Sequence, residues 1–176
     1  MFTTIMIYGV IAGAVAIASI TVGLTIGVEN GGSSVLVGYL IMLAALSLIF
    51  VAVKRYRDTR LGGVIRFNTA CGMGVAIALV AGVTYVIGWE IYLWQTHYTF
   101  MDEYARAHIT TLQASGATAA ELSVARSDLA IMARNYAKPL NRMVMTIFEI
   151  LPVGAVIALL SAALLRKSSF LPARHN

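Results

Sequence analysis

The sequence contains few charged residues and a single cysteine. Charged side chains make up 12% of its 176 residues and hydrophobic ones 59%, whereas about a quarter of the residues in a soluble domain are charged. With a mean hydropathy of +0.81, a soluble fold would leave much apolar surface in water. The lone cysteine, Cys71, excludes a disulfide framework and a cysteine-rich metal site. We therefore predict a membrane protein.

Four long apolar stretches dominate the chain. Each reaches the length of about 20 residues that a helix needs to cross a hydrocarbon core. The first two carry no charge, the third carries only Glu90 and the fourth only Glu149. No basic segment precedes the first stretch and more spans follow it, so we interpret it as a retained helix and not as a signal peptide. The predicted spans are residues 5–27, 35–53, 67–93 and 143–165.

Positive charge marks alternate ends of these spans. The segment 54–66 holds five basic residues and one acid, whereas the segment 94–140 holds four of each. A polar turn at 29–34 joins the first two spans. The positive-inside rule then predicts that both termini and the segment 54–66 are cytoplasmic. Topology accounts for the basic excess, so no nucleic-acid partner is expected. The residues expected to anchor the chain at the cytoplasmic headgroups are Lys54, Arg55, Arg57, Asp58 and Arg60.

The segment 94–140 has the pattern of two helices. Ser115 and Gly116 are expected to end the first helix, and Thr118 with Glu121 forms a capping box that begins the second. We predict an amphipathic helical hairpin on the extracytoplasmic side. Apolar faces with helical spacing are predicted at Tyr98, Met101, Ala105, His108 and Leu112, and at Leu122, Ala125, Leu129, Met132 and Tyr136.

Small residues recur every four positions in three of the spans. Such stripes let helix backbones approach closely in a membrane, where lipid supplies no hydrophobic drive for association. They could pack the four helices of one chain together. Alternatively one stripe, most readily that of the first span, could face a protein partner or a second copy. The helix-packing candidates are Gly9, Gly13, Gly74, Ala78, Gly82 and Gly154.

Glu149 and Glu90 are the candidate functional carboxylates. A carboxylate inside a span is costly unless it is paired or protonated. The functional interpretation is a proton- or cation-handling site, or the polar end of a lipid-facing groove. In the structural interpretation, Glu149 pairs with Arg142 or with hydroxyl groups and Glu90 reaches the headgroups. Our hypothesis is that Glu149 is buried and protonated, because burial disfavours the charged form.

The sequence offers no catalytic residues and no cofactor motif. It lacks a nucleophile elbow, a zinc-protease motif and a phosphate-binding glycine loop. His97 and His108 would lie about 16 Å apart along one helix, too far to share a metal ion. We therefore expect no metal, no cofactor and no enzymatic activity.

Several stretches together carry a resemblance to a known family. The chain resembles a bacterial family of membrane proteins of unknown function, DUF4199. The resemblance implies four membrane helices in a bacterial cytoplasmic (inner) membrane, and it brings no activity, cofactor or catalytic residue. The stretches are YLIMLAALSLIFVAVKRYRD (39–58), GGVIRF (62–67), YVIGWEIY (85–92) and FEILPVGAVIALLSAALLR (148–166).

Together these observations predict an all-α integral membrane four-helix bundle with an extracytoplasmic amphipathic hairpin between its third and fourth helices. Two functions remain open. One is an accessory or structural subunit of a membrane complex or homo-oligomer, in contact with the lipid bilayer and bound to a partner through its small-residue stripes. The other is proton-coupled or lipid-handling transport that uses Glu149 and Glu90.

Overall fold

The computed structural model describes residues 1–25 and 33–173. All regular elements in these two ranges are helical. The predicted turn at 29–34 and the end of the first predicted span lie mostly outside the described residues. The helices are α1 (Phe2–Thr25), α2 (Ser33–Leu46), α3 (Leu48–Arg60), α4 (Phe67–Gln95), α5 (Phe100–Ala114), α6 (Ala119–Tyr136) and α7 (Pro139–Leu165).

Four helical segments are long and apolar enough to cross a membrane, which confirms the four predicted spans. The second is made of α2 and α3, which continue into each other around Ser47. The Ser47 backbone N–H still donates to the Leu43 carbonyl at 2.9 Å, and its hydroxyl donates to the Ala44 carbonyl at 2.6 Å. This span extends to Arg60, so most of the basic residues predicted in a loop lie on a helix. The segments are Phe2–Leu24, Gly38–Arg60, Phe67–Gln95 and Pro139–Leu165.

The first span packs lengthwise against α4. A Cβ atom added at Gly9 would lie 2.6 Å from Cβ of Val80, and one added at Gly13 would lie 2.5 Å from the Ala81 carbonyl oxygen. Because the contact positions advance together along both helices, α1 and α4 run parallel. Gly9 and Gly13 therefore face the interior of this chain and are not free to face a partner, whereas a Cβ atom added at Gly23 would have no neighbour within 4 Å.

A seam of small residues joins α4 to α7. A Cβ atom added at Gly74 would lie 2.7 Å from Cβ of Ala158, and one added at Gly154 would lie 2.7 Å from Cβ of Ala78. Further along, Gly82 lies against Ile150. Each step of four residues along α4 is matched by a step of four back along α7, so the two helices are antiparallel and in a fixed register. The two predicted stripes are the two sides of one interface.

The helices α5 and α6 form a hairpin at the end of the bundle where α4 stops and α7 starts. We call this the hairpin end; the opposite end, with residues 61–66 and the segment after α7, is the termini end. Gly116 has a φ of +83°, and the Ala117 N–H bonds to the Leu112 carbonyl at 3.1 Å, an arrangement typical of a helix stop. Thr118 and Glu121 form the capping box, and the Thr118 N–H holds the pKa of Glu121 below its ordinary value.

The inner faces of the hairpin differ from the predicted ones at three positions. Tyr98 is exposed and precedes α5. His108 is exposed and Ile109 is half-buried in its place; likewise Met132 is exposed and Ala133 is half-buried. Both sets fit the helical period, so spacing could not distinguish them. Burial of Ile109 removes more apolar surface from water, while the His108 ring stays in solvent and stacks on Tyr104 at 6.1 Å.

A methyl group added at Gly74 tests the seam. We expect Gly74→Ala to lower the free energy of unfolding in detergent by about 1–3 kcal/mol, the usual range for overpacking. Gly72→Ala is the matched control, because Gly72 lies on the same helix with open space around it and alanine favours the helix there. Equal effects of the two substitutions would contradict the seam.

Candidate functional site

A bidentate ion pair between Glu90 and Arg142 lies where the seam reaches the hairpin end. Arg142 Nε donates to Glu90 Oε1 at 2.7 Å and its second terminal nitrogen, Nη2, donates to Oε2 at 2.6 Å. The seam register explains the pairing, because Glu90 is two four-residue steps beyond Gly82 and Arg142 is two such steps before Ile150. The Arg142 side chain is 5% exposed and that of Glu90 20%, so the pair is largely removed from solvent.

The rest of the Arg142 guanidinium is also satisfied. Its Nη1 donates to the carbonyl of Tyr136, the last residue of α6, at 3.1 Å. The guanidinium also lies over two aromatic rings, 5.2 Å from the centre of Tyr98 and 5.6 Å from that of Tyr136. Such contacts are attractive because the face of an aromatic ring is electronegative. Arg142 therefore joins α4, α6, α7 and the α4–α5 turn.

An aromatic cluster surrounds this ion pair. Trp89 packs edge-on against Phe100 at 4.9 Å and stacks on Tyr92 at 5.4 Å, and its Nε1 donates to the Tyr136 hydroxyl at 2.6 Å. Burial raises the pKa of the Tyr136 phenol, which keeps that hydroxyl neutral. We call the set Trp89, Glu90, Tyr98, Phe100, Tyr136 and Arg142 the hairpin hub, because it links both hairpin helices to the bundle.

The turn between α4 and α5 holds two residues in the left-handed region. His97 has a φ of 53° and Tyr98 of 60°, a conformation that costs energy for side chains other than glycine. The Tyr98 N–H donates to the Leu93 carbonyl at 2.8 Å and the His97 N–H to the Trp94 carbonyl at 3.2 Å. This backbone carries the Tyr98 ring onto Arg142, and the ring–cation contact offsets part of the strain.

Glu149 is not part of the hub. One option of the structural interpretation, a pairing of Glu149 with Arg142, does not occur, because Arg142 binds Glu90 through Nε and Nη2. Glu90 therefore has a partner within the bundle. Glu149 lies exposed on the outer surface of α7 and not in the interior as we hypothesised. Ile150 and Gly154 face α4 along the seam, and Glu149 lies beside this contact with its side chain exposed.

An apolar groove runs beside the hub on the surface of α4 and α7. It has a volume of about 420 Å³ and an apolar lining surface, and Glu90 is the one acidic residue beside it. Its size and lining suit a hydrocarbon chain. Among the described residues, no three histidine, cysteine or acidic side chains come together as a metal site would require. The groove is lined by Val83, Val86, Ile87, Glu90, Ile91, Trp94, Met143 and Ile147.

Comparison with protein families identifies relatives of the whole bundle. The model of the family described as "Protein of unknown function (DUF4199)" matches residues 7–167. The chain belongs to the DUF4199 family. The match covers all four spans and the hairpin, and it confirms the resemblance seen in the sequence. No curated protein and no solved structure matches the chain.

The DUF4199 protein has a second polar cluster at its termini end. Arg57 was predicted to anchor in the headgroups, but its side chain is fully buried. Its Nε donates to Asp58 at 2.7 Å, and its Nη1 donates to the carbonyls of Leu165 at 3.5 Å and Phe170 at 3.0 Å. Another bond reaches the Leu171 carbonyl. Arg57 therefore holds the segment after α7 against the end of α3.

The neighbouring anchor residues have different surroundings. Lys54 also pairs with Asp58, at 2.6 Å, and Arg55 donates to the Tyr8 hydroxyl at 3.2 Å, which ties α3 to α1. Arg60 is exposed. Sequence reasoning grouped these bases together because charge counting treats them alike. Their spacing on α3 could have indicated a buried base, because a helix that extends to Arg60 cannot direct all of these side chains outward.

A double-mutant cycle tests the hairpin hub of the DUF4199 protein. We expect Arg142→Leu to lower the free energy of unfolding in detergent by about 3–5 kcal/mol, because it leaves Glu90 without its cation. Adding Glu90→Leu should restore part of that loss, with a coupling energy of about 1–3 kcal/mol. Arg126→Leu, at an exposed position of α6, is the control. Strict additivity of the two hub substitutions would show that the pair is not coupled.

Arg57→Met tests the cluster at the termini end. Loss of the guanidinium removes several hydrogen bonds to backbone carbonyls, each worth about 1 kcal/mol or more, so the segment after α7 should detach more often. Trypsin should then cleave detergent-solubilised protein after Arg166 and Lys167 about tenfold faster or more. Arg60→Met serves as control, and unchanged cleavage in Arg57→Met would disprove the role of Arg57.

Proposed function

We propose that this DUF4199 protein is a non-catalytic accessory or structural subunit of a membrane assembly, and that its hairpin is the surface offered to a partner. The observation that carries the proposal is the hairpin hub. Arg142 and Trp89 attach α6 to the spans by hydrogen bonds to Tyr136, and the Trp89–Phe100 ring contact attaches α5. Holding the hairpin in this way requires the burial of a charge pair, which costs free energy. That cost is understandable if the protein needs the hairpin in one fixed orientation.

The charge distribution supports an orientation in the membrane. Basic residues lie toward the termini end at positions 54–66, and the hairpin segment 94–140 is balanced in charge. By the positive-inside rule, we place both termini in the cytoplasm of a bacterium and the hairpin outside its inner membrane. The partner-binding surface then lies on the extracytoplasmic side.

The outer face of α6 is the part of the hairpin best suited to a protein contact. Val124 and Ile131 are exposed there and lie seven residues apart, on one side of the helix. Ser127 lies between them and Ala120 one turn before Val124, and both of these small residues are exposed. The buried core of a protein interface is more apolar than its polar rim, so Val124 and Ile131 suit the centre of such a contact. The outer face of α5, by contrast, carries polar residues such as Arg106 and Thr110.

The transport alternative needs a route through the protein to Glu149. Glu149 lines neither the apolar groove on α4 and α7 nor a second groove formed by Trp94, Gln95, His97 and Tyr98. The apolar groove beside Glu90 favours at most a lipid contact. The accessory role requires no such route, and for that reason we place it first.

Site-specific photo-crosslinking in intact cells tests the proposal. A photoreactive residue at Val124 or Ile131 should give a discrete adduct of one size, because a bound partner covers that face. The matched controls are Arg106 and Thr110 on α5, which should give much weaker adducts. Equal labelling at all four positions, or none at Val124 and Ile131, would contradict a partner on α6.

A further inference from the structure

Glu149 is a carboxylate without a partner on a membrane-spanning helix. It lies ten residues after Pro139, about 15 Å along the helix at 1.5 Å per residue, and its side chain is exposed on the surface of α7. Within residues 1–25 and 33–173, no hydrogen bond or ion pair reaches it. Tyr85 and Tyr136 are close enough to interact with it electrostatically, yet neither is hydrogen-bonded to it.

Lipid cannot satisfy this group. The hydrocarbon core offers no hydrogen-bond donor, so a carboxyl group there either stays unpaired or finds its partner on another protein. The contrast with Glu90 is informative, since that carboxylate has both oxygens bonded by Arg142 within the same chain. Glu149 carries the same energetic cost, and none of the residues that the structure describes forms a hydrogen bond or ion pair with it.

Glu149 belongs to a line of exposed residues with the spacing of a coiled-coil seam. The intervals along the line are four, three, four, three and four residues, which keep a helix in contact with a neighbour that wraps around it. Left-handed crossings of this type are common in membrane bundles. The buried seam with α4 occupies another side of α7. We call the line the Glu149 stripe; it comprises Met145, Glu149, Pro152, Val156, Leu159 and Ala163, all exposed.

We propose that the Glu149 stripe packs against the same stripe of a second copy of this chain. The twofold axis of the resulting dimer would run along the membrane normal, and the two Glu149 side chains would hydrogen-bond each other across it. The proposal deepens the proposed function, because it names the chain itself as the partner of α7 while the hairpin remains available for a different protein.

The chemistry of a carboxyl group favours a second copy of the chain as the partner of the Glu149 stripe. A partner must place a hydrogen-bonding group at the depth of Glu149, and a twofold axis along the normal places the other Glu149 at that depth. A protonated carboxyl group both donates and accepts. One protonated and one ionised Glu149 can therefore share a single O–H···O bond, with one negative charge instead of two, and two protonated ones can exchange a pair of bonds.

Disulfide crosslinking in membranes tests the geometry. In a Cys71→Ala background, single cysteines replace Met145 and Val156 on the stripe, and mild oxidation should link α7 to α7. The controls are Val15→Cys and Ile7→Cys on α1. They match in exposure, at 45% for both Met145 and Val15, and at 54% for Val156 against 52% for Ile7. We expect the stripe cysteines to form dimers at least about tenfold faster than the controls.

Substitution of Glu149 tests the chemistry. Glu149→Gln keeps a donor and an acceptor, so the full-length protein in mild detergent should remain a dimer by mass measurement. Glu149→Leu removes both groups. We expect the dimer of this variant to dissociate at a protein concentration at least about tenfold higher than that of the wild type. Because the side chain faces outward, leucine should leave the monomer folded, which an unchanged thermal unfolding profile would verify.

Three outcomes would overturn the proposal: a monomeric wild-type protein in both membranes and detergent, stripe cysteines that crosslink no faster than those on α1, or a Glu149→Leu protein that dimerises like the wild type. These results leave the hairpin untouched. Photo-crosslinking at Val124 and Ile131 reports on the proposed function separately, so either idea can fail while the other stands.

Discussion

The close approach of α4 and α7 is the constraint on which the other features depend. Gly74 and Gly154 have no side chain to separate the backbones, and each receives a small residue of the other helix. Once that contact is made, the register of two antiparallel helices is fixed over their whole length. The register brings Glu90 opposite Arg142, and the ion pair then provides the platform on which the aromatic rings and the hairpin are mounted.

Two buried arginines, at opposite ends of the bundle, form similar hydrogen bonds to the ends of helices. Arg142 bonds to the carbonyl of the last residue of α6, and Arg57 to that of the last residue of α7. The last carbonyls of a helix lack partners within it and carry partial negative charge. A guanidinium has five donors in a plane, so one side chain can satisfy an acid and several carbonyls at once. Both arginines thereby fix where the chain goes after a helix ends.

The two glutamates of the spans carry the same energetic cost but differ in their surroundings. A charged carboxylate is costly in a membrane, and the bundle satisfies Glu90 internally through Arg142. Glu149 lies seven residues, about two turns, beyond Arg142 along α7, and its side chain is exposed. This exposed carboxyl group on a span is the observation from which we propose that α7 packs against a second copy of the chain.

The sequence by itself determined the features that depend on local composition. Long apolar runs fixed the four spans, because a membrane helix satisfies its own backbone, and Thr118 with Glu121 fixed the start of α6. Helix spacing could not choose between His108 and Ile109, since both fit the period. Only the tertiary structure decided that Arg142 binds Glu90 and not Glu149, and that Arg57 is buried beneath residues more than a hundred positions away. Those contacts depend on the rotation and register of packed helices, which the close packing between chain segments sets and no single segment encodes.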